Sequence, residues 1–241
     1  MNAGASLTPP FTMLSMAPRT ATVFSLALFP QVFLFERVLN SDVIFVLSDR
    51  RLDDRNHASQ CVLRSVVGGT RKIEIPVRKK GGPIDDVDVP DCSTWFPEMQ
   101  KEVRRIYDGL PLASAATELV SQLPPPYTSI WLTDYLMHSF LMTLRWLGWE
   151  KEIIRGDSLQ RNRYATECDY LLDLCLENRC QRCIVGTGPE AKCRRLFHRA
   201  GVSVVPQRWD GSKILRGRDS ILDAVARFSA ADIQKEITAS N

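Results

Sequence analysis

Two short apolar segments separated by one short helix constrain the fold of this chain more than any other feature. Val23–Leu28 and Asp42–Leu47 are brief and apolar, which is typical of strands buried on both faces of a sheet. Gln31–Leu39 lies between them and predicts a short helix that ends at Asn40-Ser41. A strand, a helix and a second strand at this spacing form a βαβ unit, so we expect a parallel sheet.

The rest of the chain continues this α/β pattern. Cys61–Val66 and Arg71–Val77 flank a Gly-Gly turn and predict a β-hairpin. Further strands are expected at Glu152–Arg155, Arg182–Val185 and Val202–Val205, and further helices at Thr94–Tyr107, Tyr127–Leu147, Asn162–Glu177, Pro189–Arg199 and Asp219–Phe228. We therefore expect one α/β domain over residues 21–230, with a mainly parallel sheet, flanking helices, a β-hairpin insertion and a helical middle section. A mobile leader (1–20) would precede it and a C-terminal tail (231–241) would follow.

The strongest helical pattern is that of Tyr127–Leu147. Its broad apolar face is predicted to carry Ile130, Trp131, Asp134, Met137, His138, Leu141, Leu144 and Arg145. On that face His138 is expected to be a hydrogen-bonded core histidine. His198 lies near the carboxyl end of a helix, where a cation is favourable, and a capping role is expected for it.

Composition excludes several classes of protein. The 241 residues include 24% charged and 44% hydrophobic residues, which fits a globular domain and argues against disorder. The net charge is only +3 without a large basic cluster, so a nucleic acid duplex is not an expected partner. The apolar run 21–35 contains Pro30 and Gln31 and is too short for a membrane span. It also lacks the cleavage site of a secretory signal, so we expect a cytoplasmic protein.

Seven cysteines are present, five of them between residues 168 and 193. An odd count in a chain of this size argues against a disulfide scaffold, so buried thiols in a reducing compartment are the simpler interpretation. Cys180 and Cys183 have the spacing of half a zinc site. Cys168, Cys175 and Cys193 do not supply the matching second pair, so we expect no metal.

A charged segment directly follows the second predicted strand. Ser48–Gln60 contains Asp49, Arg55 and His57, and in open α/β sheets the carboxyl ends of the strands hold the ligand. His57 with a nearby carboxylate could act as a general base. A solvated loop is the alternative interpretation of the same residues.

A glycine-containing turn follows a later strand. Gly186-Thr187-Gly188 lies where a strand passes into a helix, so its backbone amides could bind phosphate or carboxylate. A tight turn without a ligand is the alternative. Trp209 follows the next strand and could stack on a base or a sugar, or pack in the core.

The order of these segments resembles the WbqC-like protein family. The similarity rests on Phe29–Asp49, Glu74–Val89, the helix that contains Trp95, and the tail segments Cys183–Asp210 and Asp219–Phe228. Pro30 matches the family's opening pattern, Asp49 stands in its Asp pair and Arg55 matches a following basic position. The Gly186–Gly188 turn matches its Gly-Pro-Gly turn, Gln207 a later Gln, and Ser220 with Asp223 its terminal Ser-x-x-Asp.

This resemblance implies a small transferase of surface-polysaccharide (O-antigen-type) biosynthesis. It would move an acyl or aminoacyl, glycine-like group from an activated donor to an amino sugar or a nucleotide-linked acceptor. Their positions beside predicted strand ends suggest the roles: Asp49 would orient or deprotonate the acceptor amine, Arg55 would bind an anionic group, and Gly186–Gly188 would hold phosphate or carboxylate. All three are expected to line one cleft.

Two alternatives remain open. The chain has Ser25, Phe33 and Cys61 where the family has Gln, Gly and part of an Asn-Arg-Asn motif. That departure favours a non-catalytic member that serves as a protein partner of an active homologue. The opening βαβ unit with its proline turn also resembles nucleotidyl-transfer enzymes in outline.

Overall fold

A parallel five-stranded sheet forms the centre of the protein. The computed structural model describes residues 18–48, 52, 58–78, 82–124, 131–156, 164–186, 190–209 and 215–239. The sheet contains β1 (Thr20–Ser25), β2 (Val43–Leu47), β5 (Glu152–Gly156), β6 (Arg182–Val185) and β7 (Ser203–Pro206), in the order β5-β2-β1-β6-β7. A separate antiparallel hairpin consists of β3 (Gln60–Arg64) and β4 (Thr70–Glu74).

Helices cover both faces of this sheet. In chain order they are α1 (Leu34–Leu39), α2 (Phe96–Tyr107), α3 (Ala113–Ser121), α4 (Leu132–Trp146), α5 (Glu167–Glu177), α6 (Glu190–Arg199), α7 (Ile221–Val225) and α8 (Ala230–Ala239). Two short 3₁₀ helices, Ile84–Asp86 and Cys92–Thr94, precede α2.

Strand β2 shows why the apolar runs of the sequence form this sheet. Its five residues are all buried. Val43, Phe45 and Leu47 pack with α5 and α6, whereas Ile44 and Val46 pack with the larger core on the other face. Successive side chains of a strand point to opposite faces, so a strand covered on both faces must be apolar throughout.

The order of the strands reverses between β1 and β6. From β1 the chain adds β2 and then β5 on one side, and it then returns to add β6 and β7 on the other. Thr22 crosses this boundary with a hydrogen bond from its hydroxyl to the carbonyl of Ile184 (3.0 Å). In open parallel sheets such a reversal leaves a crevice at the carboxyl ends of the two strands, which is where ligands bind.

The predicted architecture is confirmed, while several boundaries differ. The sheet is parallel, the hairpin is present, and Arg182–Val185 forms the expected strand. β1 begins at Thr20 rather than Val23, and α1 begins at Leu34 rather than Gln31. Residues 26–33 follow β1 as largely buried chain without being a strand or α-helix, because their backbone bonds go to distant segments.

The buried face of α4 differs from the predicted one. The residues that it buries are Leu132, Thr133, Tyr135, Leu136, Ser139, Phe140, Thr143 and Leu144. Trp131 and Leu141 are exposed and His138 is only half-buried, so the interpretation of His138 as a core histidine is wrong. Phe140 stacks on Phe24 of β1 with ring centroids 4.3 Å apart, and this contact with the sheet sets which face points inward.

Two helices of the described chain were not predicted from the sequence. α3 was not expected, and α8 covers most of the predicted C-terminal tail. Ile233 and Ile237 of α8 are fully buried in the larger core, so this helix is part of the packed domain. Within the described part of the chain, none of these helices combines the length and apolar character that a bilayer crossing requires.

Candidate functional site

A cavity of about 550 Å³ opens at the carboxyl end of β1, beside the reversal of strand order. We call it the switch-point cavity. Most of its wall comes from the segment after β1, and α1, β3 and the segment before α7 complete it. The described residues that line it are Ser25, Leu26, Ala27, Leu28, Phe29, Pro30, Gln31, Leu34, Arg37, Ala58, Gln60, Cys61, Val62, Arg218 and Ser220.

Two arginines line this cavity. Arg37 reaches it from α1, and Arg218, which is exposed, reaches it from the segment before α7. Asp and Glu are absent from its described lining. Guanidinium groups bind carboxylate and phosphate through paired hydrogen bonds, so this lining favours an anionic ligand.

Arg37 links the cavity to the predicted glycine turn. Its guanidinium carbon lies 5.9 Å from the ring centroid of Phe24 in β1, a cation–π geometry. A Cβ on Gly186, the first residue of the turn, would lie 3.6 Å from the Arg37 Nη1 atom. The structure therefore brings Gly186 next to a cation that lines the switch-point cavity.

The wall of the cavity contains a strained residue. Phe29 has a φ of 41°, in the left-handed region that a large side chain rarely adopts. Such a conformation costs about 1–3 kcal/mol and persists only where the surroundings impose it. The hydroxyl of Ser220 donates a hydrogen bond to the Phe29 carbonyl (2.9 Å), and the preceding Leu28 N–H bonds to Ala58 (2.8 Å).

Ser220 has two further contacts. Its Oγ accepts a hydrogen bond from the N–H of Leu222 (3.1 Å), so it caps α7. The Cys61 thiol also lies 3.1 Å from this Oγ. Pro30 contributes its carbonyl, which accepts a bond from the N–H of Ile221 (2.8 Å). Pro30 and Ser220, two predicted binding residues, thus meet in one wall.

The Cys61 thiol lines the switch-point cavity, but it is a poor nucleophile at neutral pH. Burial raises its pKa to about 12, a hydrogen bond with Ser220 lowers the pKa in part, and the charge of Asp223 raises it further. The thiolate is the reactive form of cysteine, so Cys61 stays protonated at neutral pH.

Gln207 and Trp209 support the start of α1 instead of lining the cavity. The buried Gln207 side chain donates a hydrogen bond to the Phe33 carbonyl and contacts Glu36. Burial raises the pKa of Glu36, although hydrogen bonds from Asn40 and Gln207 oppose this. A Cβ on Gly217 would lie 2.6 Å from the Trp209 indole nitrogen, so the indole packs directly on this glycine.

Asp223 lines a second cavity of about 410 Å³, which we call the Asp223 cavity. Asp223 is 1% exposed, and burial raises its pKa. Its Oδ1 accepts hydrogen bonds from the Arg64 N–H (2.9 Å) and the Tyr107 hydroxyl (2.9 Å). The two residues of the predicted pair therefore lie in different cavities: Ser220 lines the switch-point cavity and Asp223 lines the Asp223 cavity.

The sequence interpretation missed a polar cluster at the ends of β2 and β5. Asp85 accepts hydrogen bonds from Ser48 (2.6 Å), Thr133 (2.9 Å) and Arg155 (2.5 Å). Ser48 follows β2 and Arg155 belongs to β5, so Asp85 joins the carboxyl edge of the sheet to α4. No local signal in the sequence placed Asp85 here, because its three partners are 37, 48 and 70 residues away.

Arg37 and Arg218 were missed for a similar reason. Each looks like an ordinary surface cation within its own segment, and only the tertiary fold brings them to one cavity.

Five predicted residues lie outside the described part of the chain: Asp49, Arg55, His57, Thr187 and Gly188. Their convergence on one cleft stays a prediction. The described residues next to them are Ser48 and Gly186, which follow β2 and β6 at the same edge of the sheet.

The cysteines differ from the expectation of free thiols in one pair. Cys168 and Cys193 form a disulfide, because α5 and α6 pack side by side and bring their Cα atoms within 5.2 Å. Cys180 and Cys183 are free and buried, and Cys183 hydrogen-bonds Cys175. Among the described residues, no group of three or more His, Cys, Asp or Glu side chains is arranged to hold a metal ion.

Comparison with known proteins gives no relative from which a function could be transferred. The chain matches no family model, no curated protein and no solved structure. The resemblance to the WbqC-like family, and the transferase activity that it implies, therefore stay predictions.

Proposed function

We propose that this protein binds a small ligand with a phosphate or carboxylate group in the switch-point cavity. The observation that carries the proposal is that Arg37 and Arg218 line the same cavity, whose described lining includes no Asp or Glu. The volume of about 550 Å³ lies within the range of small-molecule sites. Leu26, Leu28 and Leu34 supply apolar surface for the uncharged part of the ligand.

The reaction we propose is the transfer of an acyl or aminoacyl group from an activated donor to the amine of an amino sugar or a nucleotide-linked acceptor. The bond between the acyl carbon and the donor's leaving group breaks, an amide bond forms, the leaving group departs with its electron pair, and a base takes the amine proton. Such a transfer needs a base for the acceptor amine. The described lining contains no carboxylate or imidazole, and its Cys61 thiol keeps its proton. We therefore assign the base to Asp49 or His57, which follow Ser48 in the sequence.

The same lining favours a second candidate function, which is ligand binding without turnover. A cavity with cations but no described base can hold an anion without activating an acceptor. This candidate corresponds to the non-catalytic partner predicted from Ser25, Phe33 and Cys61.

Binding is tested with Arg218→Ala and a matched control, Arg216→Ala. Both arginines are exposed and lie two residues apart, but Arg218 lines the switch-point cavity and Arg216 lines the Asp223 cavity. The probes are pyrophosphate and uridine diphosphate in low salt, and the readout is the thermal midpoint as a function of probe concentration. A charged hydrogen bond contributes about 1.5–3 kcal/mol, so R218A should weaken binding about tenfold or more.

The control should bind both probes as the wild-type protein does. The proposal is refuted if neither probe raises the wild-type midpoint, or if R216A weakens binding as much as R218A. Transfer is tested by mass spectrometry of an amino-sugar acceptor incubated with the protein and an acyl donor. Mass gain that is lost in Asp49→Asn or His57→Gln supports the transferase, whereas probe binding without any mass gain favours the second candidate.

A further inference from the structure

The Asp223 cavity lies on the other side of the segment that carries Arg218 and Ser220. The charged residues of its described lining are Arg64, Arg216, Asp219, Asp223 and Arg227. Hydrogen bonds and ion pairs link Arg64 to Asp219 and Arg227 to Asp223, and Asp223 also accepts hydrogen bonds from the Arg64 N–H and the Tyr107 hydroxyl. This cavity has no role in the function proposed above.

The first observation is an unsatisfied acceptor. The two hydrogen bonds to Asp223 both reach Oδ1, and Arg227 Nη1 lies 3.6 Å from that same atom. The other oxygen, Oδ2, is buried and receives no hydrogen bond from any described group. Burying such an acceptor without a hydrogen bond costs about 1–3 kcal/mol, and more when the group is charged. A carboxylate oxygen in this position is matched by a ligand that donates a hydrogen bond.

The second observation is a cation at the mouth of the cavity. Arg64 is held by Asp219, with a distance of 2.6 Å between Nε and Oδ1, and Arg227 donates to the Asp223 carbonyl (2.8 Å). Arg216 is exposed at the rim, and no carboxylate of the described residues pairs with it. The cavity thus offers a buried acceptor inside and a cation at its rim.

We propose that the Asp223 cavity binds a small zwitterion, namely an α-amino acid with an apolar side chain. Its ammonium group donates to Asp223 Oδ2, and its carboxylate binds Arg216. Val32, Leu215, Ala224 and Phe228 supply apolar surface for the side chain. The volume of about 410 Å³ is within the range of small-ligand sites. Burial raises the pKa of Asp223, and an ammonium group next to its carboxylate would lower that pKa again.

The probe is L-valine, and two analogues each lack one of its charged groups. 3-Methylbutanoate is valine without its amine, and isobutylamine is valine without its carboxylate. Binding is measured by isothermal titration calorimetry at neutral pH. We expect valine to bind at least tenfold more tightly than either analogue, because each analogue leaves one of the two charged partners unmatched.

Three variants locate the binding. Asp223→Asn keeps an acceptor for Arg64 and Tyr107 but turns the unsatisfied oxygen into a donor, so valine affinity should fall at least tenfold. R216A should weaken valine about threefold to tenfold, since Arg216 is exposed. R218A should leave valine binding unchanged while it weakens pyrophosphate, so the two cavities are distinguished by one pair of variants.

The outcomes separate the two proposals. The zwitterion proposal is wrong if wild-type protein shows no heat with valine, if an analogue binds as tightly as valine, or if R216A and R218A affect valine equally. If D223N fails to fold by circular dichroism, the R216A and R218A pair decides the matter alone. If wild-type protein binds valine but neither pyrophosphate nor uridine diphosphate, only the proposed function is refuted.

Discussion

Ser220 links the wall of the switch-point cavity to α7. The Ser220→Ala variant measures how much this link contributes to the free energy of unfolding. The change removes the bond to the Phe29 carbonyl and the cap on Leu222, and it leaves Cys61 without its nearest acceptor. Loss of an N-cap costs about 1 kcal/mol, in a range of about 0.5–2. The Phe29 carbonyl keeps only the long bond from the Cys61 thiol (3.7 Å), so the loss of its Ser220 donor adds about 1 kcal/mol, and this carbonyl belongs to a residue with a φ of 41°. We expect a total loss of about 2–3 kcal/mol in the free energy of unfolding.

Urea denaturation followed by circular dichroism gives this quantity, provided that the slope of the transition stays constant. Thr166→Ala is the matched control, because Thr166 caps the exposed start of α5 through the Asp169 N–H (3.2 Å) and has no second buried partner. That variant should lose about 1 kcal/mol. If the two variants lose equal stability, Ser220 acts as a cap alone, and the argument that it imposes the Phe29 conformation fails.

Three further predictions concern stability. Gly156→Ala should lower the free energy of unfolding by about 1–3 kcal/mol in urea denaturation. A Cβ at this position would lie 2.8 Å from a methyl of Leu47 and 2.8 Å from the Tyr170 hydroxyl. Unchanged stability would contradict this packing. Glu36→Gln should gain stability relative to wild type as the pH rises from about 4 to about 8. The folded-state pKa of Glu36 lies above its ordinary value of 4.5, so the stability linked to its neutral form is lost as the pH rises through that raised pKa. A pH-independent difference would refute this. Reduction of the bond between Cys168 and Cys193, which are 25 residues apart, should lower the unfolding free energy by about 3 kcal/mol, and the double serine variant should no longer respond to reductant.

The sequence predicts most of the sheet because a buried parallel strand must be apolar on both sides. β2 and β6 appear where uninterrupted apolar residues predict them. The short elements are predicted less well, because their ends depend on distant partners. Residues 26–33 look like strand and helix, but their N–H groups bond to Ala58, Asp219 and Gly217.

The face of α4 shows a different limit of prediction. Its sequence is apolar around much of the circumference, so periodicity alone cannot select the buried side. The contact of Phe140 with Phe24 selects it, and this leaves Leu141 at 42% exposure. α3 and α8 were missed because their helical patterns are weak in the sequence. Their position in the fold becomes clear only in the structure, where Ala116, Ile233 and Ile237 are buried in the larger core.

Only part of the candidate site was predicted, and its two predicted wall residues came from the family resemblance. Pro30 and Ser220 were expected as binding residues and both line the switch-point cavity. Gly186 lies beside Arg37, whereas Gln207 and Trp209 pack at the start of α1. The cations and Asp85 could not be found, because long-range contacts alone give them their neighbours.

The position of β1 has a consequence for how the chain is made. β1 is the first strand of the described residues, yet it lies in the middle of the sheet, and its second neighbour begins only at Arg182. While the ribosome synthesises the intervening residues, one edge of β1 keeps free N–H and C=O groups that invite pairing with other chains. Contacts between segments this far apart also slow folding. Nascent chains that stop before β6 should therefore aggregate more readily than full-length chains, and they depend most on chaperones.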